Sequence, residues 1–209
     1  AAIARSILGN AGQACVAGSR LIVAESVAEE LVGLIVERMR AVRPGPTWDA
    51  ASAYSPIISE RQIGRMASIV DAAVAQGARC RLGGERLDHA GYFYAPTVLE
   101  AVDAASPAVT EEIFGPVLTV QNFREEEEGL GLADHPTYGL CAGLYTRDLS
   151  RALRAINRLQ AGTVWVNRYG RSRDHILPTG GYKQSGLGKD LGREAYLANR
   201  KSKSVLIAL

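Results

Sequence analysis

Two hydrophobic periods alternate along this 209-residue chain. Leu31, Leu34, Ile35, Met39 and Val42 recur at helical spacing. Ser26, with Glu29 three residues on, forms a capping box ahead of them, predicting a helix that ends at Pro44-Gly45-Pro46. Ser59 and Gln62 repeat that box before Ile63, Met66, Val70 and Val74, predicting a second helix that stops at Gly77. Ala1–Leu8 reads as the middle of an amphipathic helix with neither cap nor initiator methionine, which predicts a piece of a longer protein. Leu149–Leu159 predicts another helix, and the charge run Glu125 to Glu128 a solvated helix start.

Between these lie β-type runs at Ser19–Ala24, Ala78–Leu82, Tyr92–Leu99, Pro116–Phe123, Tyr138–Thr146 and Gly162–Asn167. Helical and strand patterns in alternation predict a layered α/β domain. The glycine-, arginine- and serine-rich stretch Arg168–Gly188 reads as loop. Ser204–Leu209 is an apolar β-type run with no strand partner nearby in sequence. An uncovered strand of that kind is sticky, so it predicts pairing with another subunit in a homodimer or homotetramer.

Composition narrows the class. Hydrophobic residues make up 47% and charged residues 22%, as in an ordinary globular domain with a substantial core. The formal net charge of +2 argues against a nucleic-acid partner, which calls for a marked basic excess. No apolar run reaches the roughly 18 residues that span a bilayer, so no membrane partner is expected. Three cysteines, an odd number in a chain too long to need disulfide staples, predict a reducing, cytoplasmic setting.

Candidate chemistry begins at Gly12-Gln13-Ala14-Cys15. A thiol reacts as its thiolate, and backbone amides gathered by a tight turn stabilise that form. Gly12 permits such a turn, and the same amides would serve an oxyanion on an attacked carbonyl. A buried structural cysteine is the competing reading at position 15. Cys80 and Cys141 lie in strand-like runs and are expected in the core. No cysteine pair has zinc-site spacing and His89, His135 and His175 are scattered, so no metal site is expected. A cysteine protease would pair its thiol with a histidine, and nothing local marks one. Far downstream, Glu112 precedes Ile113-Phe114 and a Gly115-Pro116 turn. A carboxylate accepting from sugar hydroxyls beside a stacking aromatic suits a nucleotide cofactor; a solvated carboxylate at a strand entrance is the alternative.

Taken together, these motifs resemble the aldehyde dehydrogenase superfamily, specifically its C-terminal catalytic half. Asn10-x-Gly12-Gln13-x-Cys15-x-Ala17-x-x-Arg20 is similar to the family's cysteine signature, and Glu111-Glu112-Ile113-Phe114-Gly115-Pro116-Val117 to its second hallmark. Tyr138-Gly139-Leu140, Gly162-Thr163-Val164-Trp165-Val166-Asn167 and Gly180-Gly181-Tyr182-Lys183-Gln184-Ser185-Gly186 follow in the family's order. The resemblance implies a three-layer sandwich with a mostly parallel sheet flanked by helices over residues 1–200, and a C-terminal oligomerisation strand over 201–209.

It implies that Cys15 attacks an aldehyde to give a thiohemiacetal, that NAD or NADP takes the hydride, and that water cleaves the thioester. Glu112 is then expected on the nicotinamide-side ribose, Phe114 near the nicotinamide, and Gln62 and Arg65 at the same ribose, Arg65 standing where lysine is common. The family's dinucleotide cleft, general-base glutamate and oxyanion asparagine come from a preceding domain with no match here. These 209 residues alone are therefore expected not to turn over aldehyde. Leu8 stands where phenylalanine is frequent, and Thr179 where an aromatic often walls the aldehyde pocket. With Arg171, Arg173, Asp174 and His175 nearby, Thr179 suggests a polar aldehyde, solvated arginines being the alternative. Two rivals are a non-catalytic oligomerisation module derived from the family and a coenzyme A-acylating relative.

Overall fold

The computed structural model describes residues 1–88, 90–170 and 176–209. Its centre is a four-stranded sheet in the order β1 (Arg20–Ala24), β4 (Val117–Phe123), β3 (Thr97–Glu100), β2 (Arg79–Leu82). β1–β4 and β4–β3 are parallel, and β2 joins β3 antiparallel as an edge strand. All four residues of β3 and the first five of β4 are buried whichever way they point, so both sheet faces are covered. The layered α/β architecture expected from the pattern forms, with the mostly parallel sheet that the resemblance implies.

Helices α1 (Ala2–Leu8), α2 (Glu25–Arg40) and α3 (Glu60–Ala75) supply much of that cover. Val32, Ile35, Val36 and Met39 of α2 and Ile63, Met66, Ile69 and Val70 of α3 share one core with Val98, Leu99, Val117 and Leu118 of the sheet. Burying such side chains stabilises by about 1.5–3 kcal/mol each before the cost in entropy. Ser59 caps α3 as its box predicts, accepting from the Gln62 N–H at 3.3 Å. Ser26 does not cap α2. β1 runs directly into the helix through Ala24, with no side-chain cap, and Ser26 falls within the first turn. The helix also ends at Arg40, before Pro44.

The short helix α4 (Pro107–Thr110) leads into β4, and α5 (Glu126–Ala133) follows it. Beyond α5, β6 (Cys141–Leu144) and β7 (Thr163–Val166) form a separate parallel pair bridged by α6 (Leu149–Arg158). β5 (Tyr138–Gly139) pairs antiparallel with β8 (Tyr182–Lys183), a strand inside the stretch expected to be loop. The chain closes with α7 (Gly192–Ala198) and a tail without regular structure. Val205, Leu206, Ile207 and Leu209 in that tail are exposed, so the apolar run at 204–209 forms no strand within the described chain.

The two inner cysteines also need correcting. Cys80 is exposed and Cys141 half-buried. β2 has a neighbour on one side only and its register slips between Cys80 and Leu82, which turns the Cys80 thiol outward rather than into the core.

Candidate active site

Cys15 lies five residues before β1, and Phe114 three before β4. Because those strands are parallel and Arg20 faces Thr119, both loops emerge at the same, amino, end of the sheet. The sheet thus gathers in space two motifs that are far apart in sequence.

The cysteine loop is sharply turned. Asn10, Ala11 and Gly12 take left-handed angles in succession, with φ of 52°, 55° and 71°. For a residue with a β-carbon such angles cost about 1–2 kcal/mol each, and they persist only where the surroundings fix them. Ala11 is wholly buried, and the Asn10 side chain donates to the Gln13 carbonyl at 2.7 Å, closing the turn. Gly12 lies against Gly115, where a β-carbon would meet the Gly115 oxygen at 2.0 Å. On its other side Gly115 abuts the Met66 thioether. Two glycines therefore let the cysteine loop, the Phe114 loop and α3 close on one point. Cys15 itself is exposed, so it is not the sealed structural thiol that the sequence also allowed.

The second loop is strained as well, since Phe114 sits at φ 56° with its ring partly in solvent. Buried Ile113 anchors it. From α3, Gln62 Nε2 donates to the Ile113 carbonyl at 2.8 Å and the Phe114 carbonyl at 3.2 Å. Arg65 Nη1 donates to the Glu112 carbonyl at 2.7 Å, and Nη2 pairs with Glu111 at 3.2 Å. Residues 62 and 65 share a helix face, so both grip the same loop. The Glu112 carboxylate is exposed and meets no partner among the described residues. The four residues expected at a cofactor therefore converge, with Gln62 and Arg65 holding backbone.

Sequence reasoning missed two supports. Gln13 reaches out of the cysteine loop, Oε1 accepting from the Ile58 N–H at 2.9 Å and Nε2 donating to the Pro56 carbonyl at 3.3 Å. Its place between Gly12 and Cys15 was the available signal. His135 is buried against α4, which leads into the second loop. Its Nδ1 accepts from the N–H groups of Thr137 and Tyr138, both at 3.0 Å, so the proton sits on Nε2, which donates to the Val109 carbonyl at 3.2 Å. Burial, then the nearby Arg20 charge, hold this imidazole below its ordinary pKa and keep it neutral. Nothing local in the sequence singled it out. Arg20 in turn donates to the Leu132 carbonyl at 2.6 Å and to Gln121 at 3.1 Å, tying β1 to α5.

At the opposite, carboxyl, end of the sheet a cavity of about 520 Å³ is lined by Glu25, Glu29, Arg79 and Glu100. Arginines pair with each of these three carboxylates. Thr179 is held by backbone bonds with Asp190, and Leu8 is buried. His89, Arg171, Arg173, Asp174 and His175 lie outside the described residues.

The sequence model of the aldehyde dehydrogenase family matches residues 1–205. The chain belongs to the aldehyde dehydrogenase family. It is 38% identical over 203 residues to an aldehyde dehydrogenase of Davidiella tassiana, covering 97% of this chain and 41% of that protein. Among solved structures it is similar to an NAD-dependent aldehyde dehydrogenase from Sinorhizobium meliloti, with a TM-score of 0.90 and 38% identity over 93% of this chain and 39% of the other. A betaine aldehyde dehydrogenase from Staphylococcus aureus in complex with NAD+ superposes with a TM-score of 0.89 at 36% identity, covering 94% of this chain and 40% of the other. This aldehyde dehydrogenase chain thus spans about two fifths of the length of the relatives it matches.

Proposed function

We propose that this chain is the nucleophile-bearing part of an aldehyde dehydrogenase that oxidises an aldehyde to a carboxylic acid with NAD or NADP. The observation carrying this reading is the Gly12–Gly115 contact, which joins an exposed thiol to an exposed carboxylate and aromatic ring.

The net reaction is aldehyde, water and NAD(P)+ to acid, NAD(P)H and a proton. The bound nicotinamide supplies the two-electron acceptor. Cys15 attacks the aldehyde carbon, forming a C–S bond, and the carbonyl oxygen becomes an oxyanion beside the loop's amides. At the higher oxidation level the carbon is a thioester on Cys15. Water adds to it, the C–S bond breaks and the acid leaves. Covalent capture keeps the substrate carbon fixed throughout.

The residues present fit a dinucleotide. The free Glu112 carboxylate can accept from two ribose hydroxyls, and the Phe114 ring, 37% exposed, offers an apolar face to the nicotinamide. Gln62 and Arg65 join the ribose side through the groups their backbone contacts leave over, Gln62 Oε1 and Arg65 Nε. Residues 1–200 act as the catalytic domain, and the exposed tail over 201–209, apolar from Val205 on, is covered in a homodimer or homotetramer. A reducing, cytoplasmic setting suits a free thiol.

The test is a full-length protein carrying this chain, assayed with NAD+ or NADP+ and an aldehyde panel. Reduced cofactor forms, and Cys15→Ser lowers kcat by at least about a thousandfold. Undiminished turnover by the serine variant would overturn the assignment. The 209 residues alone give no sustained turnover.

A further inference from the structure

The stretch from Pro56 to Arg65 touches both functional loops and belongs to neither. At its start, Gln13 binds the Ile58 N–H and the Pro56 carbonyl through the two ends of one carboxamide. The next residue, Ser59, caps α3. One turn on, Gln62 and Arg65 hold the carbonyls of Ile113, Phe114 and Glu112. The cysteine loop and the Glu112–Phe114 loop are thus fastened to opposite ends of the same ten-residue segment.

Both loops need fastening. Asn10, Ala11 and Phe114 hold left-handed angles that an unsupported loop would relax. A helix start is stiff, so two loops bound to it keep a fixed separation. Arg65 suits its end of the segment because a planar fork can serve two carbonyls and the Glu111 carboxylate together, whereas an ammonium is a single point charge.

We propose that Gln13 and Arg65 are positioning residues at the two ends of a bracket, Pro56–Arg65, that sets the Cys15 sulfur relative to the Glu112–Phe114 loop. This goes beyond any contact of Arg65 with a ribose, and it rests on the reading above for what the two loops do.

The test uses a full-length protein carrying this chain, with amide hydrogen exchange followed by mass spectrometry and iodoacetamide alkylation of Cys15 measured in parallel. Gln13→Leu removes both bonds; Gln13→Glu keeps the Ile58 contact and serves if the leucine variant does not fold. Arg65→Ala removes the fork, and Arg65→Lys returns one donor. Loss of a hydrogen bond worth about 1 kcal/mol corresponds to roughly fivefold faster exchange. We expect at least that at 111–115 in Arg65→Ala, partly reversed in Arg65→Lys, and at 10–15 in the Gln13 variants, with Cys15 alkylation changed in both. Exchange should also rise at 111–115 in the Gln13 variants, because the bracket links the loops. Wild-type exchange at 111–115 in folded Arg65→Ala, or loops that loosen independently, would overturn the bracket. An unreactive Cys15 in the wild type would instead overturn the functional reading, leaving exchange to judge the bracket.

Discussion

Gly12 and Gly115 meet so closely that a β-carbon on Gly12 would lie 2.0 Å from the Gly115 carbonyl oxygen and 2.3 Å from its carbon. No side chain can swing aside to relieve that clash, since the obstructing atoms are backbone. Gly12 also sits at φ 71°. Gly12→Ala should therefore destabilise the fold by about 2–5 kcal/mol, combining overpacking with the left-handed penalty. Urea denaturation with a folded-state probe checks this. Because strain falls on the junction of two loops, the variant should also alter Cys15 alkylation in whatever fraction remains folded.

His135 makes stability depend on pH in a defined direction. Its Nδ1 is fully used as an acceptor, so protonation must break bonds to Thr137 and Tyr138. Burial and the Arg20 charge lower its pKa in the folded chain from an ordinary 6.5. Below pH 6.5 the unfolded chain binds the proton first, so this contribution is complete above 6.5 and is lost as pH falls towards the folded value. The slope from this residue is at most about 1.4 kcal/mol per pH unit. Comparing urea midpoints for wild type and His135→Gln between pH 7.5 and 5.5 should show a shallower decline in the variant. Parallel declines would remove His135 as the cause.

The β6–β7–α6 unit is held to α5 partly by charge. Arg151 and Arg154 converge on Glu126, and Arg158 reaches Glu127. These pairs are exposed and so are screened by salt. Raising sodium chloride to 1 M, or making Glu126→Gln, should speed amide exchange within Leu149–Arg158 while leaving α3 unchanged. Equal effects on both helices would point to a global rather than local change.

The Ser59 cap of α3 was legible because its chemistry is local, and it forms, although the Gln62 side chain turns to the Ile113 and Phe114 carbonyls instead of closing the box. The matching pattern at Ser26–Glu29 failed because a strand feeds the helix directly, a tertiary circumstance that no local signal records. Cys80 was misplaced for a similar reason: its strand residues were recognisable, but not that β2 would be an edge. At the site, Cys15, Glu112 and Phe114 stood out by motif. What stayed hidden was how they are held, since Gln13, Gln62 and Arg65 act on backbone groups exposed only once the loops are folded. The run at 204–209 looks like a strand, yet its partner is absent from the described residues.

In the function proposed above, the turn at Asn10–Gly12 presents Cys15 as a nucleophile. Exposure alone cannot decide this, because Cys80 is exposed too. The Cys80 thiol, however, donates to the carbonyls of Leu82 and Gly83 at 3.2 and 3.3 Å, and burial of its sulfur pushes its pKa up. The deciding measurement is the iodoacetamide rate constant at each cysteine separately, read by peptide mass spectrometry at neutral pH. Cys15 should react at least about tenfold faster than Cys80 and Cys141. Equal rates at Cys15 and Cys80 would contradict it.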